Sequence, residues 1–348
     1  MEFDINTITR ENVKILKPYS SARDEFEDFD TAEMIFLDAN ENPFQNGVNR
    51  YPDPQQNSVK AILSKNNKVK QSQILLGNGS DEVLDLLFRA FCEPKTDNII
   101  SLPPTYGMYG VLANINAVEN REILLSDDFQ PQVEKILDAV DQNTKIIFLC
   151  SPNNPTGNSF TDESVVKLLQ NFKGLVVIDE AYIDFSEKES WLTEMDEYPN
   201  LVITQTLSKA YGLAGIRLGI CYGSEVVISV LNKIKPPYNV NELTQQRAIS
   251  RLNDADKIKN EISSIIEQRE ELLKVLLDIS FVEKVYPTEA NFVLIKVDDA
   301  NKRYKELIAK GIVIRNRTTQ PLCENCLRLT IGIPEENAVL IKELKLLS

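Results

Sequence analysis

The segment from Thr206 to Gly219 reads TLSKAYGLAGIRLG and sets one lysine, Lys209, just beyond an apolar run. A lysine that forms a Schiff base needs a neutral, accessible amine, and desolvation beside other cations provides it. Ser208 and Arg217 flank it with a hydroxyl and a fixed cation, both suited to phosphate. The glycines between them let backbone approach a ligand closely. Taken alone, the segment could also be a strand-exit loop with incidental charges, which is the less favoured reading.

Four other segments follow apolar runs in the same way. Ser151 to Gly157 reads SPNNPTG, a stiff turn that can aim the Asn154 amide at a ring substituent. Val177 to Tyr182 reads VIDEAY. It puts Asp179 at the C-terminal end of a buried strand, where parallel sheets bind ligands. A pyridine nitrogen needs such an anion to stay protonated and act as an electron sink. Tyr182 is spaced to reach a hydroxyl on the same ring. Gly77 to Glu82 reads GNGSDE, a glycine turn into a helix start, whose orphan N–H groups and dipole favour phosphate. Pro103 to Gly107 reads PPTYG, and Tyr106 is suited to stacking on a flat ring. The first three have a plainer reading by themselves: an ordinary turn, a helix-capping aspartate, a common glycine turn. Their coincidence at successive strand ends is far more specific than any one of them.

The elements that must position these residues are legible as short apolar runs at 73–76, 98–102, 145–150, 175–178, 201–204 and 216–222. They are apolar at both alternating positions, as strands buried on both faces of a largely parallel sheet must be. Helix-periodic stretches at 81–91, 131–140 and 162–172 are expected to cover that sheet. A long charged helical stretch at 245–279 reads as a spine leaving it. Beyond it, strands are expected at 291–297, 312–315 and 327–331, with helices at 302–310 and from Pro334. The expected division is a large α/β domain over residues 31–245. A smaller α+β domain is expected from residues 1–30 and 246–348, with the first thirty residues as an arm packed beside it.

The chain has 348 residues, enough for two cores, with 43% apolar and 26% charged residues. A formal net charge of −14 argues against a general nucleic-acid binder, which usually carries a basic face. It does not exclude an anionic small substrate held by a local arginine cluster. The start, MEFDINTITRENVK, has no signal-like apolar core, and no apolar run has the length of a membrane span, so a cytoplasmic protein is expected. Five cysteines, mostly scattered, suggest reduced thiols. Cys323 and Cys326 form a CxxC, but zinc would need two more ligands and the chain contains no histidine. Two small residues in a loop is the preferred reading, and no metal site is expected. The missing histidine also removes Ser-His-Asp and Cys-His catalysis.

Together, NPTG, the aspartate of VIDEAY and the SK lysine thirty residues beyond it resemble the fold-type-I aminotransferases that depend on pyridoxal 5′-phosphate (PLP), over nearly the whole chain. A narrower resemblance lies in KPYSSAR near Tyr19, LDANENP from Leu37, NRYPD around Tyr51, PPTYGMY, GIVIR ending at Arg315 and CLRLTIG around Arg328. These are similar to the branch of that family acting on L-histidinol phosphate. The resemblance implies Lys209 as the Schiff-base lysine and Asp179 as the partner of the ring nitrogen. It implies Asn154 and Tyr182 on the ring hydroxyl and Tyr106 stacked on the ring. It assigns the cofactor phosphate to the Ser80 and Asp81 amides with Thr206, Ser208 and Arg217. It implies a homodimer in which Tyr51 reaches the phosphate of the neighbouring subunit's cofactor. Arg328, with Arg315 and Tyr19, would hold the anionic end of the substrate. The implied substrates are L-histidinol phosphate and the glutamate/2-oxoglutarate pair, in histidine biosynthesis. Ser80 departs from the alanine often found there, which a backbone donor tolerates. Arg317 has no assigned role and reads as a solvated loop charge.

An aromatic amino-acid aminotransferase or a threonine-phosphate decarboxylase would keep every cofactor residue and differ only at the substrate end. A PLP-sensing regulator would need a DNA-binding module, and there is no room for one before Tyr19.

Overall fold

The computed structural model describes residues 3–18 and 35–348. Seven strands form the main sheet: β1 (Ile74–Asn78), β2 (Asn98–Ser101), β3 (Glu119–Glu122), β4 (Thr144–Cys150), β5 (Leu175–Asp179), β6 (Leu201–Thr206) and β7 (Leu218–Gly223). Their spatial order is β1-β7-β6-β5-β4-β2-β3. All neighbouring pairs are parallel except those of β7, which runs antiparallel to both β1 and β6. The central strands are buried on both faces. Leu75, Val177 and Val202 enter one apolar layer, and Leu76, Val176, Ile178 and Ile203 enter the other.

Helices α4 (Ser80–Phe91), α5 (Met108–Ile115) and α8 (Glu225–Ile234) cover the first layer. Helices α3 (Asn57–Asn67), α7 (Asp162–Asn171) and α9 (Glu242–Leu252) close the second, with the short α6 (Val133–Asp138) packed on α7. This is the α/β architecture that the apolar runs imply. The polar strand β3, ENRE, gives no such signal, because a strand at the sheet edge has little to bury.

A second sheet is antiparallel, in the order β10-β11-β9-β8, from β8 (Val282–Val285), β9 (Phe292–Val297), β10 (Arg315–Asn316) and β11 (Cys326–Thr330). It packs with α10 (Ala255–Leu276), α11 (Ala300–Ala309) and α12 (Pro334–Leu347) around Leu272, Val293, Ile295, Leu307, Leu327 and Leu340. The expected single spine is two helices, α9 and α10, parted at Asn253 and Asp254. The strand expected at 312–315 is reduced to Arg315 and Asn316, because Gly311 turns out of α11 at φ +78° and Val313 faces solvent.

The N-terminal segment lies elsewhere than expected. Its two short helices, α1 (Ile5–Ile8) and α2 (Glu11–Lys14), put Ile8 and Val13 into the layer of α4 and α8, not beside the second sheet. The Arg10 N–H donates to Ala90 O, and its guanidinium pairs with Glu93. Two apolar side chains set five apart had no visible partner in the sequence, yet they complete a helix-covered face. Among the described residues no helix is long and apolar enough to cross a membrane.

One close approach shapes the site. A Cβ built on Gly219 of β7 would lie 2.2 Å from the Ser80 nitrogen and 2.3 Å from the Gly79 carbonyl carbon. The helix start of α4 is thus pressed against β7, and only glycine fits between them. Gly219→Ala is expected to lower unfolding stability by about 1–3 kcal/mol through overpacking. Gly107→Ala, with nothing within 4 Å of the added carbon, is the control. Equal denaturation midpoints for the two variants would refute the account.

Candidate active site

Five chain segments leave the same edge of the main sheet and converge. Because β7 reverses direction twice over, β1 points the same way as β6, and its exit loop joins those of the parallel strands. One cavity is lined by Ser80, Asp81, Tyr106, Cys150, Asn154, Asp179, Ala181, Tyr182, Thr206, Ser208, Lys209 and Arg217. Ten residues singled out from the sequence are therefore brought together, and Cys150 and Ala181 join them.

Asp179 ends β5 and is 3% exposed. The Tyr109 hydroxyl donates to its Oδ2 at 2.9 Å, and the Ala181 N–H to its Oδ1 at 3.2 Å. Burial outweighs these bonds and pushes the carboxyl pKa up to about 6. Tyr109 itself was missed. It is fully buried in α5 and stacked on Phe148, with ring centroids 4.7 Å apart. In the sequence it is one more aromatic on an apolar helix, and only its hydroxyl, aimed at Asp179, separates it from core.

The turn after β4 is held by Asn153. Its amide nitrogen donates to Pro104 O at 2.8 Å and to Thr156 Oγ1 at 2.7 Å, and its carbonyl accepts from Thr105 Oγ1 at 3.1 Å. Gly157, at φ +84°, sits against Thr288, where a Cβ would come within 2.3 Å of Oγ1. With both ends fixed, the turn presents Asn154 to the cavity.

At the other end, Gly79 precedes α4 and no side chain caps the helix, so its first N–H groups remain available. Asp81 accepts from the Tyr106 hydroxyl at 2.9 Å and faces Arg217 Nη2 at 3.5 Å. It thus places two other lining residues. Thr206 and Ser208 are tied together, the Ser208 N–H donating to Thr206 Oγ1 at 3.1 Å. Lys209 stays accessible, with its Nζ 5.7 Å from the Tyr182 ring centroid. Partial burial, then the charge of Arg328, lowers its amine pKa.

Arg328 of β11 reaches in from the second sheet. Its guanidinium donates to Asn154 Oδ1 and lies 4.9 Å from the Phe292 ring centroid. Burial, then Arg317, brings its pKa down to about 10. Arg315 lies directly opposite it across the β10–β11 ladder. Arg317 is not the solvated loop charge expected: it is partly buried, and its Nε is buried without a partner. Tyr51 does not line the cavity; it stands half exposed, stacked on Tyr238 at 4.5 Å. Tyr19 lies outside the described residues. Cys323, in the turn before β11, and Cys326, at its start, are free thiols buried in the core.

The model of the family aminotransferase class I and II matches residues 27–344. A histidinol-phosphate aminotransferase of Flavobacterium johnsoniae is 90% identical over 346 residues, 99% of each chain. The chain belongs to the class I and II aminotransferases, and within them to the histidinol-phosphate aminotransferases. The crystal structure of that aminotransferase from Clostridium acetobutylicum matches with a TM-score of 0.80 at 25% identity, covering 86% of this chain and 91% of the other. The one from Sinorhizobium meliloti, in complex with PLP, matches with a TM-score of 0.78 at 24% identity, covering 86% and 84%.

The aminotransferase cavity fits PLP, the cofactor of this family. It offers an uncapped helix start with two hydroxyls and an arginine for a phosphate. It also holds a buried carboxylate for a ring nitrogen and a lysine for an aldehyde.

The raised pKa of Asp179 has a measurable sign. An unfolded aspartate titrates near ~3.9, so between about pH 4 and 6 the folded, unloaded chain binds the extra proton and loses stability as pH rises. The difference in unfolding free energy between Asp179→Asn and wild type should therefore grow in favour of the variant by about 3 kcal/mol across that window. Denaturation of cofactor-free protein at pH 4 and pH 7 measures it, and a pH-independent difference refutes it.

Proposed function

We propose that this aminotransferase moves the amino group between L-histidinol phosphate and 2-oxoglutarate, with PLP as cofactor, in histidine biosynthesis. The observation that carries this is Arg328, bonded to Asn154 of the cavity wall with Arg315 opposite it on the ladder, beside a cavity that already holds a lysine and a buried carboxylate. Histidinol phosphate has no carboxylate, whereas glutamate does. One site must accept a phosphate in one half-reaction and a carboxylate in the other. The planar fork of arginine binds either anion bidentately. The near-identical Flavobacterium relative supports the choice of substrate.

Bound PLP supplies an electron sink for the carbanion at the amine-bearing carbon of the substrate. In this reading Asp179 keeps the proton on the ring nitrogen, and Tyr109 orients Asp179. Asn154 and Tyr182 hold the ring hydroxyl, and Tyr106 packs on the ring. The Ser80 and Asp81 amides, Thr206, Ser208 and Arg217 hold the phosphate. Lys209 Nζ anchors the cofactor. When free, it takes the proton from the amine-bearing carbon, and its lowered pKa favours the neutral amine that a base requires. Arg328, Arg315 and Tyr19 hold the anionic end of the substrate, Tyr19 on the strength of the resemblance alone.

The proposed assembly is a homodimer that lends Tyr51 to the neighbouring cofactor phosphate. In support, Tyr51 does not line its own cavity, and Ile35, Leu37 and Phe44 just before it are 86%, 88% and 79% exposed. A large α/β domain over 31–245, and a cytoplasmic location with its free thiols reduced, belong to the same proposal.

A single half-reaction tests the substrate. Protein loaded with PLP, without any oxo acid, should lose the aldehyde-form absorbance on addition of L-histidinol phosphate. Loss with phenylalanine alone would move the chain to an aromatic branch. Carbon dioxide released from threonine phosphate would make it a decarboxylase. Lys209→Ala should cut turnover by about a thousandfold or more. Arg328→Ala should raise KM for both substrates by about tenfold, whereas a rise for one alone would mean separate anion sites.

A further inference from the structure

Arg317 is the cation that the reading above leaves unused. In the β10–β11 ladder Arg315 pairs directly with Arg328, and the Arg317 N–H donates to Cys326 O at 2.9 Å, extending the pairing by two residues. Side chains two apart on a strand share a face, and so do cross-strand partners. Arg315, Arg317 and Arg328 therefore stand on one face, with Arg317 diagonal to Arg328. None of the three is paired with a carboxylate among the described residues, in a chain with 52 acidic residues and 38 basic ones. Arg317 Nε and Arg328 Nε are both buried without a hydrogen-bond acceptor. Crowded cations with orphaned donors are destabilising unless an anion completes them. The mutual repulsion is visible in the depressed pKa of Arg328, to which Arg317 contributes after burial.

A carboxylate has two oxygens and one charge, and two arginines satisfy it. A phosphate monoester carries about −1.5 to −2 charge near neutral pH and three terminal oxygens. We propose that Arg317 is a third anion-binding side chain of the substrate site, engaged by a phosphate monoester and not by a carboxylate. It thereby sets the preference for the phosphorylated amine. This rests on the reading that Arg315 and Arg328 hold the substrate's anionic end. Arg317 binds and discriminates; it takes no part in proton transfer.

Two unreactive probes separate the anions: 2-phenylethyl phosphate, a monoester without an amine, and glutarate, a dicarboxylate without one. Each is titrated calorimetrically into PLP-loaded wild type and Arg317→Gln. KM for L-histidinol phosphate and for 2-oxoglutarate is measured on the same preparations. Removing one charge-assisted contact should weaken the monoester, and raise KM for L-histidinol phosphate, by about tenfold or more. Glutarate affinity and KM for 2-oxoglutarate should stay within about threefold. Arg317→Lys keeps the charge without the fork and serves if the glutamine variant does not fold. It should lose monoester affinity by a smaller factor and leave glutarate untouched. Equal weakening of both probes, or of neither, overturns the proposal. A wild type that neither binds the monoester nor turns over L-histidinol phosphate overturns the substrate reading as well.

Discussion

A carboxylate buried at the end of a parallel strand is the constraint around which this site is built. Asp179 has almost no contact with water, and one tyrosine hydroxyl with one backbone N–H does not replace full hydration. A permanent cation at that spot would relieve the strain on folding but leave nothing for a ligand. The chain instead leaves the carboxylate facing a cavity, where a ring nitrogen can complete it. Tyr109 belongs to this arrangement. Its stacking on Phe148 fixes the hydroxyl that holds one oxygen of Asp179, so core packing sets the direction of a buried charge that faces the cavity.

The opposite polarity is supplied from two sheets. Arg217 lies against Gly79 on the main sheet, and Arg328 comes from the second sheet to touch Asn154. Both raise the positive potential at Lys209, Arg328 more strongly, and favour its neutral amine. An anion bound at Arg328 would weaken that push. If Arg328 holds the substrate as proposed, substrate binding and the basicity of Lys209 are linked through one guanidinium. A chain without histidine has few other groups that titrate near neutrality.

What could be read from the sequence follows burial. Strands covered on both faces must be apolar throughout, so β1, β2 and β4 to β7 were legible. The loops at their ends could then be assigned to one edge. The polar edge strand β3 could not be found by that rule, nor could the break between α9 and α10. Tyr109 was hidden because a buried tyrosine and a working tyrosine look alike until the partner of the hydroxyl is known. Arg317 was misjudged for a related reason. The spacing R-x-R places two side chains on one face only once the segment is known to be a strand, and β10 is too short to announce itself. The N-terminal helices were assigned to the wrong neighbour because Ile8 and Val13 specify an apolar contact without specifying whose.

The place of β7 has a consequence for the order in which the molecule is made. Among the described residues β1 is the first strand, and its one neighbour in the sheet is β7, whose residues are synthesised about 140 positions later. Until then β1, with its Ile-Leu-Leu run, has both edges unpaired, a species open to the wrong partner. The groups proposed to cradle a phosphate, at residues 79–81 and 206–217, are likewise kept apart until β7 slots between β6 and β1. A ribosome-bound chain therefore holds no finished cradle before that strand emerges. Closing the sheet and completing the binding site are one event, and an anion captured there would stabilise the last strand to arrive.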